Sequence, residues 1–370
     1  MRTFHRTAMA LTAVFALSLG ACSSGDSDSS ESSDASTSES GSQETTAQAE
    51  TQDVSDTACQ PTEGEVQFPL EIEHAYGTTT IEKQPERVAT VSWGNHEVPL
   101  ALGVVPVGMT KTTWGDDDDN GVLPWVEDKL TELGAETPAL FDETDSIPYE
   151  EVEKTNPDVI LASSSGLSQE DYDKLSKIAP VVAYPGKPWQ TTMECMIRMN
   201  SKAIGKSQEG EQLISDLDAR VNEALDAHPD IKGKTVLFSG YDNDADLSKI
   251  SFYTTGDTRA AFLKQYGFGV PAIVDEESKT AEEFYVEVSA EDADRFDDVD
   301  VIVSYGSDDL VKRLQDDPLL SNIPAIKEGR IALLENETPQ AAMASPSPLG
   351  LPWGIDNYFG LIEEAANKSS

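Results

Sequence analysis

Side chains able to do chemistry are unevenly spread along this sequence. Aromatic, hydroxyl and a few basic residues gather directly after short apolar, β-branched runs. In the first half these stretches are Trp93-Gly94-Asn95-His96, Lys111 to Trp114, Ser163-Ser164-Ser165-Gly166 and Tyr184 to Trp189. In the second half they are Gly240-Tyr241-Asp242-Asn243, Phe252-Tyr253, Arg259, Tyr305-Gly306-Ser307 and Met343 to Trp353. Apolar walls with a few directed hydrogen bonds suit capture of a bulky ligand. The candidate contacts are Trp93, Asn95, His96, Lys111, Trp114, Ser165, Tyr184, Trp189, Tyr241, Tyr253, Arg259, Tyr305 and Trp353. Lys111 and Arg259 are the cations placed to balance an anionic ligand. Each aromatic also reads as core, and Arg259 as half of a structural salt bridge.

Catalysis is not expected. Ser163–Ser165 follows a strand-like run, but no Gly-x-Ser-x-Gly elbow, phosphate-binding Walker loop or Cys-x-x-Cys is present. The four histidines (His5, His74, His96 and His228) include no pair at metal-ligand spacing, so direct metal binding is not expected either. Haem would need an axial His, Tyr or Met, a role that His96 with a tyrosine such as Tyr184 or Tyr241 could serve. One acidic stretch fits a calcium loop literally: Asp116-x-Asp118-x-Asn120-Gly121, with Leu123 at the eighth position and Glu127 at the twelfth. Pro124 at the ninth position and the absence of a clear preceding helix favour a solvated acidic loop instead.

These groups need a scaffold. Apolar β-branched runs alternate with helical patterns, which predicts an α/β architecture. Expected strands are Arg87–Ser92, Val104–Met109, Asp158–Ala162 and Val181–Tyr184, then Thr235–Ser239, Ile250–Tyr253, Val299–Ser304 and Ile331–Leu334. Val159-Ile160-Leu161 suits a parallel strand buried on both faces. The halves resemble each other. Pro148-Tyr149-Glu150-Glu151 leads through a short helix into Asp158–Ala162, and Val288-Ser289-Ala290-Glu291 leads likewise into Val299–Ser304. Between the halves, apolar residues from Met193 to Ile204 and from Leu213 to Leu225 recur at helical spacing, interrupted at Gly205. The expected fold is two Rossmann-like lobes joined by a single long backbone helix, with a ligand cleft between them. Expected boundaries are 59–187 for the first lobe, 188–230 for the connecting helices and 231–370 for the second lobe.

The 370 residues carry 26 Lys+Arg against 68 Asp+Glu, a net charge of −42. So acidic a chain is repelled by nucleic acid and anionic lipid headgroups. Arg2 and Arg6 precede a twelve-residue apolar run, Ala8 to Leu19, too short to span a bilayer. It ends in Leu19-Gly20-Ala21-Cys22, a bacterial lipobox pattern in which Cys22 would be diacylated, so residues 1–22 read as a lipoprotein signal. Residues 23–58 read as a disordered, acidic, Ser-rich tether. With the signal at +2 and the tether at −9, most of the acid, −35, belongs to the body. Export places the chain on the extracytoplasmic face of a membrane. There Cys59 and Cys195 can pair as a disulfide or remain buried thiols.

The chain resembles the ferric-siderophore-binding lipoproteins of ABC importers, relatives of cobalamin- and haem-binding proteins. The hairpin from Phe68 to Ile81, Pro85-Glu86-Arg87-Val88-Ala89-Thr90-Val91 and Ala101-Leu102-Gly103-Val104-Val105-Pro106-Val107-Gly108 are similar to that family's opening. Gly256-Asp257-Thr258-Arg259 and Ser345-Pro346-Ser347-Pro348 to Pro352-Trp353 also match patterns seen there. The resemblance implies a monomeric binding protein with no cofactor of its own, because the siderophore itself coordinates the iron. It implies that Glu150 and Glu291 dock onto permease arginines, with ATP hydrolysed by partner subunits. Haem or cobalamin ligands belong to the same class. A purely structural envelope lipoprotein is the rival of another class.

Overall fold

Two parallel sheets carry the fold, built from short runs that are apolar on both faces. A computed structural model describes residues 57–62 and 64–368; the expected signal, Cys22 and the tether as far as residue 56 lie outside the described residues. The hairpin comes first, β1 (Leu70–His74) with β2 (Gly77–Ile81), and β1 alternates buried with exposed residues. Next come β3 (Val88–Thr90), α1 (Glu97–Ala101), β4 (Gly108–Thr110), α2 (Pro124–Glu132) and β5 (Ala139–Phe141). Then follow α3 (Tyr149–Lys154), β6 (Val159–Ala162), α4 (Gln169–Leu175) and β7 (Val181–Ala183). The five strands form a parallel sheet in the order β5-β4-β3-β6-β7. Every residue of β3, β6 and β7 is buried, as helices on both faces require.

The connection is two helices, α5 (Met193–Ala203) and the long, 21-residue α6 (Ser207–Ala227), divided at the expected interruption. Gly205 separates them with φ +75°, the left-handed turn that closes a helix end and that glycine adopts without steric cost. The second half contains β8 (Val236–Phe238), β9 (Lys249–Tyr253), α7 (Thr258–Gln265), α8 (Ala272–Ser278), β10 (Tyr285–Ser289) and β11 (Val301–Tyr305). It ends with α9 (Asp308–Asp316), α10 (Pro324–Lys327), β12 (Ile331–Leu334), α11 (Pro339–Met343) and α12 (Gly350–Ala366). Its parallel sheet, β12-β11-β8, repeats the β7-β6-β3 order of the first.

Three expectations shift. The run at Val104–Met109 enters the sheet late: Val107 N–H donates to the Val88 carbonyl at 2.8 Å and β4 begins at Gly108, while Pro106 has no N–H to donate. The run at Ile250–Tyr253 lies in neither parallel sheet. It pairs antiparallel with β10, and its burial alternates because one face only is covered. β5 and β10 were not anticipated. The first is three residues long, and the second shows only a weak alternation of exposed and part-buried residues.

One apolar core runs from Val98 and Trp125 through Met196 and Leu217 to Phe238 and Tyr358, so the sheets share packing across the connecting helices. Cys59 and Cys195 form a disulfide that spans 136 residues and fastens the start of the body to the first turn of α5. Reduction should lower stability by about 2–4 kcal/mol, because the unfolded chain regains the freedom of a long loop. Urea midpoints with and without reductant check this, and coincident midpoints would refute a stabilising role.

Candidate functional site

Parallel strands all end on one side of a sheet, so the segments beyond their carboxyl ends converge. Here they enclose a cavity of about 440 Å³ lined from both sheets. The first half contributes Trp93, Trp114, Ser164 and Trp189, and the second contributes Tyr253, Arg259, Phe284 and Tyr305. Rings meet edge-on across it: Trp93 and Trp114 centroids are 6.3 Å apart, and Trp114 and Tyr305 are 5.6 Å apart. Such contacts hold aromatic walls at fixed angles. Trp189 is 41% exposed and sits at φ +60°, with its ring against Gly166, where a Cβ would lie 2.1 Å from the indole nitrogen. Ser92, beside Trp93, also has positive φ, +63°. Left-handed backbone at non-glycine residues costs roughly 1–3 kcal/mol each and clusters at ligand clamps.

Arg259 and Asp257 are the only charged residues among the described cavity lining. They face each other through two bonds: Nε donates to Oδ1 and Nη2 to Oδ2, each at 2.8 Å. Asp257 also caps α7. The guanidinium lies 3.6 Å from the Tyr253 ring centroid, and Nη1 donates to the Tyr305 hydroxyl at 3.2 Å. Burial opposes the charge on Arg259. The Asp257 hydrogen bonds, together with the charge interactions of Asp257, Tyr305 and Tyr253, outweigh burial, and the guanidinium stays protonated. Burial likewise raises the Tyr253 and Tyr305 phenols, which remain neutral hydrogen-bonding groups. The cation expected to balance an anionic ligand is therefore already paired within the protein.

The structure divides the expected contacts. Trp93, Trp114, Trp189, Tyr253, Arg259 and Tyr305 line the cavity. Lys111 lines an adjoining trough and sits 3.7 Å from Asp142. Five others are turned away behind the wall. Asn95 is fully buried; its amide donates to the Val91 and Ser164 carbonyls, and its oxygen accepts from Ser163 and Asn200. Asn95 thus braces the cavity residue Ser164 rather than facing ligand. Ser165 bonds the Ala162 carbonyl, and Tyr241 the Lys249 carbonyl. Tyr184 meets the Tyr76 hydroxyl at 2.7 Å. His96 is buried, with Nδ1 unpaired, and burial lowers its pKa to about 4. His96, Tyr184 and Tyr241 are therefore not presented to the cavity as axial ligands for haem, although Tyr253, Tyr305, Met193 and Met196 line it. Trp353 lies outside it on α12, packed on Trp125 with centroids 5.2 Å apart.

Thr191, Met193, Met196, Asp257, Thr258 and Phe284 also line the cavity and were not anticipated. Met193 and Met196 share one face of α5, a spacing that read as core. Phe284 is carried in by β10, stacked near Tyr253 at 6.4 Å. Glu150 and Glu291 are exposed in corresponding places, Glu150 in the first turn of α3 before β6 and Glu291 in the 3₁₀ stretch Ala290–Phe296 before β11. In the acidic loop, Asp116, Asp117 and Asp118 bring carboxylate oxygens within 4.8 Å of one another. Glu127 is not part of that group, and the Asp116 and Asp118 side chains accept backbone N–H groups of their own loop.

Two sheets with equivalent topology, a two-helix connection and an aromatic cavity between strand ends define a two-lobed ligand-binding protein. The chain belongs to the periplasmic binding protein family, which matches residues 88–338. It is similar to the solved structure of Streptococcus pneumoniae PiaA in complex with ferrichrome, at 46% identity and a TM-score of 0.77, over 81% of this chain and 99% of that one. It is 29% identical to the Bacillus subtilis probable siderophore-binding lipoprotein YfiY, over 54% of this chain and 57% of that protein. It is 24% identical to the Escherichia coli Fe(3+) dicitrate-binding periplasmic protein FecB, over 73% of this chain and 84% of that protein.

Proposed function

We propose that this chain is the substrate-binding component of an ABC importer for ferric siderophores, and that its ligand is an electrically neutral chelate of the hydroxamate type. The observation that carries this reading is the aromatic cavity whose charge is already balanced, with Arg259 locked to Asp257. Three singly charged hydroxamates neutralise Fe(III), whereas three catecholates leave a trianion. Such a trianion meets no free cation among the described cavity residues, and it meets the repulsive field of a chain at −42. The likeness to the PiaA–ferrichrome complex supports the same ligand class. Three tryptophans in the wall provide the test. Intrinsic fluorescence should be quenched saturably by ferrichrome and only weakly by ferric tricatecholate or ferric citrate. Preference for the anionic chelates would refute the neutral-ligand reading.

Diacylation of Cys22 would hold the protein, as a monomer, at the extracytoplasmic face. No described helix is long and apolar enough to cross a membrane. Energy for transport would come from ATP hydrolysis in partner subunits. Glu150 and Glu291 would dock onto permease arginines, since paired carboxylates far apart fix register on a two-fold partner. The double variant Glu150→Ala/Glu291→Ala should lose transport at least about tenfold while its chelate affinity stays within about twofold. Uptake of radiolabelled iron and fluorescence titration separate the two. Lost affinity in that variant would refute the docking role.

A further inference from the structure

Beside the cavity lies a polar trough of about 550 Å³, and Trp93, Trp114 and Trp189 line both spaces. A chelate seated against these rings has the trough open beside it for any arm that projects from its iron-binding core. The trough is built from the ends of β3, β4 and β5, and its charged lining is Lys111, Glu143, Asp145 and Asp171. Lys111 is already drawn to Asp142, which lies outside the lining. Asp171 is engaged by Ser168 and the Tyr149 hydroxyl. Glu143 is different. Like Asp171 it is half-buried with neutral partners, Ser92 N–H at 3.0 Å and the Thr110 hydroxyl at 2.7 Å, but no cation among the described residues acts on it, whereas Lys174 acts on Asp171. Burial raises its pKa, the mark of a carboxylate whose charge is incompletely compensated. Asp145 stands exposed in the same lining.

From this arrangement we propose that the trough is a subsite for a positively charged arm of the siderophore, a protonated primary amine projecting from an otherwise neutral chelate. The inference rests on the siderophore reading above and narrows it. A protonated amine there gains attraction to Glu143 and Asp145, and the three indole rings of the lining are potential partners for a cation. The same field repels chelates that carry acidic arms.

The test compares ferrioxamine B, a linear ferric trihydroxamate with one protonated terminal amine, with its N-acetylated form, in which a neutral amide replaces the ammonium; variants of the two carboxylates separate the loss of charge from the added acetyl group. Tryptophan quenching at low salt should give the amine form about fivefold tighter binding, shrinking as salt is added. Asp145→Asn, at an exposed position, should reduce the preference, and Asp145→Asn/Glu143→Gln should bring it within twofold. Equal affinity of wild type for the two chelates overturns the inference, and so does a preference that survives in both variants. If neither chelate nor ferrichrome binds, the siderophore reading itself fails, and this inference falls with it.

Discussion

Arg259→Ala should weaken chelate capture by at least about thirtyfold and lower stability by about 3–5 kcal/mol. The two losses have separate origins. The guanidinium lies over Tyr253 and donates to Tyr305, so its removal frees two rings of the cavity wall. It also leaves Asp257, whose side chain is 3% exposed, as a buried carboxylate with no counter-charge. Breaking one side of a buried pair costs more than deleting both. Asp257→Ala/Arg259→Ala should therefore be less destabilised than the sum of the single variants, even with the α7 cap lost as well. Urea denaturation of the four proteins in the cycle measures this coupling. Strict additivity would show that the pair does not act as a unit.

Glu97→Ala should be nearly as damaging although Glu97 touches no ligand space. Glu97 begins α1 in the first half of the chain, yet its carboxylate serves the second. Oε1 accepts from Trp125 Nε1 at 2.8 Å, and Oε2 accepts from the backbone N–H of Leu349 at 2.9 Å and of Gly350 at 3.3 Å. It thereby pins the start of α12, and with it Ser345–Ser347, which line the cavity. Truncation strands the Trp125 and Leu349 donors, while Gly350 N–H keeps Ser347 Oγ at 3.2 Å, at a cost of roughly 2–5 kcal/mol in all, and loosens that part of the wall. A fall in stability with unchanged chelate affinity would refute the second effect.

The pH dependence of Glu97 has a definite sign. Burial raises its native pKa above the ordinary 4.5, with the bonds from Ser347, Trp125, Leu349 and Gly350 opposing. As pH falls toward the ordinary carboxyl range, the native state binds this proton before the unfolded state does. The contribution is complete below the unfolded value and is lost as pH rises through the native one. The stability advantage of wild type over Glu97→Gln should therefore grow on acidification from neutral pH toward 4.5. A difference independent of pH would refute this titration.

Much of the framework was legible because it depends on local pattern. The continuous apolar runs at Val159–Ala162 and Ile331–Leu334 became buried parallel strands, since only strands covered on both faces can be apolar throughout. The helical spacing from Met193 to Leu225, broken at Gly205, became α5 and α6. Trp93, Trp114 and Tyr305 came to the cavity because segments at the carboxyl ends of parallel strands converge at one edge, whereas Tyr253 and Arg259 came with the antiparallel β9 and the helix that follows it. Direction within those segments was not legible. Irregular backbone has no period to decide which neighbour points outward, so Trp93 faces the cavity while Asn95 and His96 turn into the interior.

What the sequence determined by itself was the set of elements, the repeated order of the halves and the aromatic character of the ligand space. Each follows from residue types over a few turns or strand lengths. Tertiary structure alone decided the charge of that space, because neutralisation depends on Arg259 folding back on Asp257 rather than toward the cavity. It also decided that Phe284 arrives through antiparallel pairing of β10 with β9, and that Glu97 reaches Leu349 across 252 positions of chain. Hydrogen bonds and ion pairs of this kind are set by distance in space, and local composition carries no record of the partner.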